Sequence, residues 1–366
     1  MAGVGAAVAA VIDPSASGES YAPRRLVMQW HLTERCNLRC THCYQEPVRA
    51  AEIPAGSWLR ILEQYEAFLV DNGARGQITL TGGEPFVLRD LPVLLERIAS
   101  QRQHYGFAIL TNGTLIDAAL AQRLSAWGAR FVQVSIDGDR ATHDRIRGAG
   151  NFDRALAGVR HLVRAGVPTY LSFTAHRQNF RQFPEIARLG KELGVARVWS
   201  DRLIPQGHGT DLQDQLLSPA ETREFIQLMA QARADVSGIG NTEVALNRAL
   251  QFHSGQGQPY HCTAGDTLIT VMPNGDLYPC RRLPIRVGNL LETRLEVLYQ
   301  CNLFRALRDR TRVCQGCESC LYAHLCGGGL HCLAYAVTGS IFHADPGCWL
   351  RSEPEVEDGF RGGRDV

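Results

Sequence analysis

Three cysteines within eight residues constrain this chain more than any other feature. Cys36, Cys40 and Cys43 have C-x3-C-x2-C spacing and directly follow the mostly apolar run 26–32. The run predicts a strand that ends in a metal-binding loop, because thiolates are soft ligands suited to zinc or to iron-sulfur clusters. A cubane of four irons held by only three protein thiolates keeps one iron open, and chemistry can start there.

A second short motif lies at the end of the next predicted strand. Gly82-Gly83-Glu84-Pro85 directly follows the run Ile78-Thr79-Leu80-Thr81. Spacing alone leaves a closed structural zinc site open for the first motif, with His31 or His42 as the fourth ligand. Two unrelated motifs in this order, each at a strand end, favour the iron-sulfur interpretation.

The two motifs together resemble the radical S-adenosylmethionine (radical SAM) superfamily. The resemblance implies that Cys36, Cys40 and Cys43 hold a 4Fe-4S cluster and that Gly82, Gly83, Glu84 and Pro85 bind the amino group of SAM. It also implies that one electron cleaves SAM to a 5'-deoxyadenosyl radical, which takes hydrogen from a substrate. The ring of His42 would lie against the adenine.

Further candidate SAM contacts come from the same resemblance. Ser135 and Asp137 match the position that hydrogen-bonds the ribose, although an Asp before Gly is also a common turn former. Arg147, in a His-Asp-x-x-Arg-Gly segment, would bind the methionyl carboxylate through a bidentate fork. Its alternative partner is Asp144, in a surface ion pair. The strand-end residues Thr111, Asn112, Thr174 and 202–205 are candidates to line the pocket, and no general acid or base can be named.

Alternating strands and helices predict the fold. Six short apolar strands are each followed by a helix, which predicts a parallel sheet covered on both faces. Period-two alternation in the fourth strand places Gln133, Ser135 and Asp137 on the inward face. The fold class is therefore α/β, a partial (β/α)6 TIM-like barrel followed by a small cysteine-rich domain. The strands are predicted at 26–32, 78–80, 107–111, 131–136, 170–175 and 197–199, and the helices at 58–70, 91–98, 118–127, 155–165, 186–193 and 218–231.

Cysteine density predicts a second domain, since nine of the twelve cysteines lie between Cys262 and Cys348. Asn274-Gly275-Asp276 is predicted as a tight hairpin turn between strands at 268–272 and 277–278, with Cys280 at a strand end. The order of the cysteines resembles the SPASM extension of radical SAM enzymes, which binds two auxiliary 4Fe-4S clusters. Two structural zinc ribbons are the alternative. The resemblance implies an outer cluster on Cys317, Cys320, Cys326 and Cys348. It implies an inner cluster on Cys262, Cys280 and Cys332, whose fourth ligand is Cys314, Cys301 or an open site; Cys314 is the preferred candidate.

Length and composition set the remaining expectations. The 366 residues carry a formal net charge of +1, which offers no field for nucleic acid or an anionic membrane. No apolar run reaches the length of a membrane span, and the absence of a secretory signal indicates a cytoplasmic protein. The predicted units are a disordered leader 1–24, a barrel 25–234, a linker with a bridging helix 235–258, a SPASM domain 259–350 and a disordered tail 351–366.

The expected activity is radical modification of a ribosomally made peptide by crosslinking, thioether formation or epimerisation. Modification of a haem-precursor side chain and sulfatase maturation are the alternatives. An iron-sulfur electron carrier without SAM chemistry would leave Gly82 to Pro85 without a role. Expected partners are a flavodoxin or ferredoxin as electron donor and a separate peptide-recognition protein, because the barrel begins near residue 26.

Overall fold

The computed structural model describes residues 21–45, 52–236, 242–255 and 259–351. Residues 1–20 and 352–366, where a disordered leader and tail were expected, lie outside the described residues. The strands are β1 (Arg25–His31), β2 (Arg75–Thr81), β3 (Tyr105–Thr111), β4 (Phe131–Ser135), β5 (Thr169–Ala175), β6 (Arg197–Arg202), β7 (Glu243–Val244), β8 (Leu268–Val271), β9 (Asp276–Tyr278) and β10 (Gly288–Asn289).

The helices complete the architecture. They are α1 (Ala55–Asp71), α2 (Leu91–Ala99), α3 (Ala118–Ala126), α4 (Arg140–Arg147), α5 (Asn151–Arg164), α6 (Phe183–Leu193), α7 (Pro219–Val236), α8 (Leu295–Tyr299), α9 (Asn302–Arg308), α10 (Ala323–Cys326) and α11 (His331–Thr338). Each of the six predicted strands and each of the six predicted helices is present, with shifted ends.

One sheet joins all the strands in the order β10-β9-β8-β1-β2-β3-β4-β5-β6-β7. Strands β1 to β7 are parallel to their neighbours, and β8 pairs parallel with β1. The sheet is open, since β10 and β7 are its edges in the described residues. The sheet is also curved. One cavity is lined by alternate side chains from six consecutive strands, among them Gln29, Thr79, Gln133, Ser172 and Trp199.

Local sequence explains where two of the helices form. Helix α1 buries Trp58, Ile61, Leu62, Tyr65, Phe68 and Leu69, the apolar face that its spacing predicts. Helix α7 begins with a reciprocal capping box: the Ser218 amide donates to the Glu221 carboxylate at 2.8 Å, and the Glu221 amide donates to Ser218 Oγ at 3.2 Å. Both donors would otherwise lack partners at the helix end.

The bridging helix of the linker 235–258 was expected at 244–252, and this prediction is wrong. Its first residues form β7, where the amides of Glu243 and Ala245 donate to carbonyls of Ala196 and Val198 beside β6. Leu250 then has a positive φ of 68°, which breaks a helix. The periodicity of a short apolar run does not distinguish a strand from a helix. These residues form a strand because they pair with a free edge of the parallel sheet.

The cysteine-rich segment extends the barrel sheet. The predicted hairpin is confirmed: β8 and β9 are antiparallel, and Gly275 turns the chain with φ 87° while its amide donates to Met272. A single apolar core includes Trp30 and Tyr65 from the barrel and Leu277 and Phe304 from the segment beyond it. The sheet and the core therefore continue across the predicted boundary at residue 259.

Candidate active site

A cavity of about 980 Å³ lies inside the curved sheet. Its wall includes all three thiols of the first motif, Cys36, Cys40 and Cys43. It also includes three thiols from the second cysteine group, Cys262, Cys280 and Cys332. The predicted pocket residues Thr111, Asn112, Thr174 and 202–204 line it too. Residues more than two hundred positions apart in sequence thus face one chamber at the C-terminal ends of the strands, where barrels of this kind place their sites.

Hydrogen-bond donors surround the thiols of the first motif. The Leu38 amide donates to Cys36 Sγ at 3.4 Å, and Asn112 Nδ2 lies 3.8 Å from the same sulfur. Arg147 Nη1 lies 3.8 Å from Cys40 Sγ. Such donors stabilise negative charge on sulfur, which is the charge of a cluster-bound thiolate. The donor set therefore fits an iron-sulfur cluster.

Two glycines hold the second motif tightly against the cysteine loop. The Gly83 amide donates to the Thr33 carbonyl at 2.7 Å, and the Glu84 amide donates to the Arg35 carbonyl at 2.9 Å. A Cβ atom would lie 2.3 Å from the Thr33 oxygen at Gly82 and 2.1 Å from the Arg35 oxygen at Gly83. Only glycine permits this approach, so the motif positions the loop that carries Cys36.

The Glu84 carboxylate joins the same motif to the end of β3. It is fully buried and accepts hydrogen bonds from Thr111 Oγ1 and the Asn112 amide at 2.8 Å each, and from the Phe86 amide at 3.3 Å. Burial raises the pKa of this carboxyl from 4.5 to about 7, although the donors partly oppose the shift. The structure shows Glu84 organising the loop, and its predicted contact with SAM stays a prediction.

This raised pKa predicts a pH-dependent effect of Glu84→Gln. The folded protein keeps the Glu84 proton between pH 4.5 and about 7, whereas the unfolded chain releases it. Wild-type stability from this group is therefore present below pH 4.5 and lost as pH rises to about 7. The free energy of unfolding of wild type should fall relative to the variant by about 2 to 3 kcal/mol across that range. Urea unfolding of the cluster-free protein measures it.

Glu63→Gln is the matched control, because Glu63 is exposed on α1. This surface substitution should change the free energy of unfolding by no more than about 0.5 kcal/mol. Parallel pH profiles for wild type and Glu84→Gln would contradict the buried, protonated carboxyl.

Asp137 is the centre of a buried polar network. Its Oδ2 accepts a hydrogen bond from Arg147 Nε at 2.6 Å and lies 3.2 Å from His42 Nε2, and its Oδ1 accepts one from the Thr174 amide at 2.9 Å. Burial raises the pKa of this carboxyl, but Arg147 and His42 outweigh burial and hold it well below its usual range. His143 Nδ1 accepts a hydrogen bond from the Asp137 amide.

This network gives two predicted SAM contacts a partner inside the protein. Asp137 is 0% exposed, is not among the residues that line the cavity, and contacts Arg147 and His42 through its carboxylate. Its predicted contact with the ribose, and that of Arg147 with the methionyl carboxylate, stay predictions. Arg147 pairs with Asp137, and Asp144 accepts from the amides of Gly150 and Phe152. Helix α4, absent from the sequence prediction, brings Arg147 here and is capped by Asp139.

Five of the predicted SAM neighbours line the cavity: His42, Gly82, Gly83, Ser135 and Arg147. Ser135 lies 3.5 Å from Ser172 across the strands. The buried Nδ1 of His42 has no hydrogen-bond partner in the part of the chain that the structure describes. A ring that donates from Nε2 to Asp137 leaves Nδ1 as an unmatched acceptor, which costs free energy unless a ligand donor reaches it. The amino group of an adenine is such a donor, so this position fits SAM.

The second cysteine group divides into two sites. Cys317, Cys320, Cys326 and Cys348 line one small pocket, as the outer set was predicted to do. Cys262, Cys280 and Cys332 share the large cavity. Burial raises the pKa of the Cys262 thiol to about 11 and also raises that of the Cys332 thiol, and the neighbouring thiols add smaller shifts in the same direction. In the described residues no three His, Cys, Asp or Glu side chains converge on one ion-sized point.

Neither candidate for the fourth inner ligand lies with this group. Cys314, the preferred one, is buried against Gly328, and its thiol donates to the Gly327 carbonyl at 3.5 Å. Cys301 caps α9 inside the apolar core. Neither lines the cavity. The five-residue spacing between Cys326 and Cys332, with its glycines, turns the chain so that Cys314 contacts this loop.

We therefore expect Cys314→Ala and Cys301→Ala to keep the iron content and the auxiliary electron paramagnetic resonance signals of wild type. Cys332→Ala is the comparison that should lose the inner signal, because Cys332 lies in the cavity. Loss of that signal in Cys314→Ala would instead restore Cys314 as a ligand.

Side chains that the sequence did not single out complete the chamber. Arg248, Arg281 and Arg282 line it beside Trp199 and Tyr260. The Arg281-Arg282 pair directly after Cys280 was the sequence signal that could have identified them.

The helices in the part of the chain that the structure describes include none with the length and apolar character of a membrane span.

Solved structures share this fold. The chain superposes on Streptococcus suis SuiB bound to its precursor peptide SuiA with a TM-score of 0.70, at 21% identity and over 89% of this chain and 76% of that one. It superposes on anSMEcpe with bound AdoMet with a TM-score of 0.72, at 20% identity and over 88% and 90%. This chain therefore has the same fold as both proteins.

Sequence comparison shows the family. The model of the radical SAM superfamily matches residues 30–190, and that of an iron-sulfur cluster-binding domain, SPASM, matches residues 262–321. The chain belongs to the radical SAM superfamily and carries a SPASM domain. It is therefore an enzyme that uses iron-sulfur clusters and SAM, and the zinc alternatives for both cysteine groups are excluded.

Curated relatives cover nearly the whole chain. The AdoMet-dependent heme synthase of Methanosarcina barkeri is 29% identical over 90% of this chain and 97% of its own length. The PqqA peptide cyclase of Granulibacter bethesdensis is 30% identical over 87% and 86%. The mycofactocin maturase MftC of Mycolicibacterium smegmatis is 30% identical over 88% and 82%. Their names include both peptide-modifying and haem-forming activities.

Proposed function

We propose that this enzyme modifies a ribosomally made peptide, with the reacting residue held in the large cavity. The observation that carries the proposal is that one chamber is lined by the thiols of the cysteine loop and by those of the inner auxiliary group. A substrate there can meet both. Peptide modification is named for two of the relatives that are 30% identical, and this supports the choice of substrate.

In this proposal Cys36, Cys40 and Cys43 hold the SAM-binding 4Fe-4S cluster. Cys262, Cys280 and Cys332 hold an inner auxiliary cluster, and Cys317, Cys320, Cys326 and Cys348 an outer one. SAM bound at the first cluster supplies a carbon-centred radical that takes hydrogen from the substrate. A flavodoxin or ferredoxin supplies electrons, and a separate recognition protein can deliver the peptide.

The protein's own residues prepare that site in three ways. Arg147, Asn112 and the Leu38 amide stabilise negative charge on the sulfurs of the cysteine loop. Glu84 and the two glycines fix the loop against β3. Asp137 holds His42 with its free Nδ1 beside the cavity.

The test is an anaerobic reaction of the reconstituted enzyme with SAM, reductant and the short peptide encoded beside its gene. Loss of two or more hydrogens from the peptide, together with 5'-deoxyadenosine, is the expected mass-spectrometric result. Cleavage of SAM without any change in the peptide would contradict the proposal.

A haem-forming activity is the second candidate, because the match to the heme synthase spans 97% of that protein. Turnover with a tetrapyrrole carboxylate and none with the peptide would establish it. A cytoplasmic location is part of the peptide proposal, since all twelve cysteines are unpaired and free thiols persist in a reducing compartment.

A further inference from the structure

Six arginines line the cavity, and three of them already have their partners. Arg147 pairs with Asp137, and Arg202 makes two hydrogen bonds to Asp345, at 2.9 and 2.5 Å. Arg39 donates to the backbone carbonyls of its own loop. These three guanidinium groups serve the protein itself.

The other three form what we call the arginine wall: Arg248, Arg281 and Arg282. In the described residues their ion pairs all go to one carboxylate, Asp201, at 2.5 Å from Arg282 and 3.9 Å from Arg248. The Asp201 carboxylate also accepts from the Arg202 amide at 3.0 Å. Glu34 also lines the cavity, so two acidic residues stand against these three guanidinium groups, and this balance leaves the wall positive.

This excess of positive charge affects Arg281 most strongly, because Arg281 is only 2% exposed and water therefore screens its charge least. Its Nη2 donates to the Tyr44 carbonyl at 3.1 Å, but its buried Nε has no hydrogen-bond partner among the described residues. A buried guanidinium with an unmatched donor is costly unless an anion completes it. The Nε of Arg248, whose side chain is 34% exposed, has only Asp201 at 3.9 Å, beyond hydrogen-bond distance.

Aromatic rings hold both arginines in place. The Arg248 guanidinium lies 4.6 Å from the Trp199 ring centroid, and Trp199 is itself fixed by a 2.9 Å hydrogen bond to Gln133. The Arg281 guanidinium lies 5.4 Å from the Tyr44 ring centroid. Stacking of this kind fixes a guanidinium before a ligand arrives, which favours recognition of planar carboxylates.

We propose that the arginine wall binds a carboxylate of the peptide substrate, from an acidic side chain or from the peptide C-terminus, inside the reaction cavity. The inference rests on the proposed function and adds a substrate class to it. Placed between the cysteine loop and the inner cysteine group, the carboxylate would fix which residue of the peptide reacts.

Binding of small probes tests the wall without turnover. N-acetylglutamyl methylamide carries only a side-chain carboxylate, N-acetylalanine carries only a C-terminal one, and N-acetylglutaminyl methylamide carries neither. Anaerobic calorimetry on the reconstituted, SAM-loaded enzyme should detect one or both acids and not the amide. Arg248→Gln and Arg281→Gln should each weaken binding of the acid about tenfold or more.

Arg197→Gln is the matched control, because Arg197 pairs with Glu243 outside the cavity and should leave probe binding unchanged. Equal binding of acid and amide, or binding unaffected by both variants, would overturn the proposal. So would tight binding of a propionate-bearing tetrapyrrole with no binding of either peptide acid.

Two further readouts separate other roles. If the arginine wall only balances the negative charge of the inner cluster, the variants will change the cluster spectra while the affinity for the acid stays constant, and this result overturns the proposal. If it binds the carboxylate of SAM, affinity for SAM will fall by the same factor as affinity for the acid, which also overturns it. Should Arg281→Gln fail to retain iron, Arg248→Gln decides, because Arg248 is distant in sequence from any cysteine ligand. If the peptide does not react but the acid probes still bind, the proposed function is contradicted, whereas carboxylate binding by the arginine wall is supported.

Discussion

Replacing Cys36, Cys40 and Cys43 together by alanine is expected to abolish formation of 5'-deoxyadenosine under anaerobic reduction. About two thirds of the iron should remain, because two of the three clusters have their ligands elsewhere. Product chromatography and an iron assay on the same preparation measure both effects. Cys301→Ala is the control, since this buried cysteine lies in the apolar core and should retain full cleavage. Undiminished cleavage by the triple variant would remove these cysteines from the reaction.

Asp137→Asn is expected to cost about 3 to 5 kcal/mol of unfolding free energy, the loss typical when one partner of a buried ion pair is removed. The change leaves the Arg147 charge buried without its carboxylate partner and removes the acceptor beside His42. Urea unfolding of the cluster-free protein at pH 7 measures it. Asp153→Asn is the matched control, because its pair with Arg140 is exposed. The control should cost at most about 1 kcal/mol.

The same aspartate predicts a pH profile. Its pKa is depressed in the folded protein, so the stability it contributes is present above its unfolded pKa near 4 and is lost as pH falls below that value. The difference in stability between wild type and Asp137→Asn should therefore shrink in acid. A difference that stays constant from pH 7 to pH 3 would show that the pair is not a charged one.

Local patterns predicted the local structure well. The alternation of strands and helices, the apolar face of α1, the Ser218 capping box and the hairpin at Gly275 each depend on residues close together in the chain. The first motif also predicted the cysteine loop, because its chemistry is contained in a few adjacent residues. The packing of Gly82 and Gly83 against that loop was not predicted, since their motif was assigned to the amino group of SAM.

Contacts between distant segments were not predictable in the same way. β7 formed because a free sheet edge was available, which no period reveals. Asp137 was assigned to a ribose before α4 was known to bring Arg147 to it. Cys314 was preferred for the inner cluster because Cys301 follows a run that looks helical, where a buried free cysteine is ordinary. The glycines at 327–329 place Cys314 against their own loop. The arginine wall depends on pairing Arg282 with Asp201, eighty-one residues away.

The central claim is that a radical forms in this cavity and reacts with a peptide. Its most direct test is to measure the transfer of hydrogen from the peptide to 5'-deoxyadenosine. The peptide encoded beside the gene would be made with deuterated side chains and incubated anaerobically with enzyme, SAM and reductant. We predict deuterium in the 5'-deoxyadenosine and a matching mass loss in the peptide. Unlabelled 5'-deoxyadenosine together with an unchanged peptide would contradict the account.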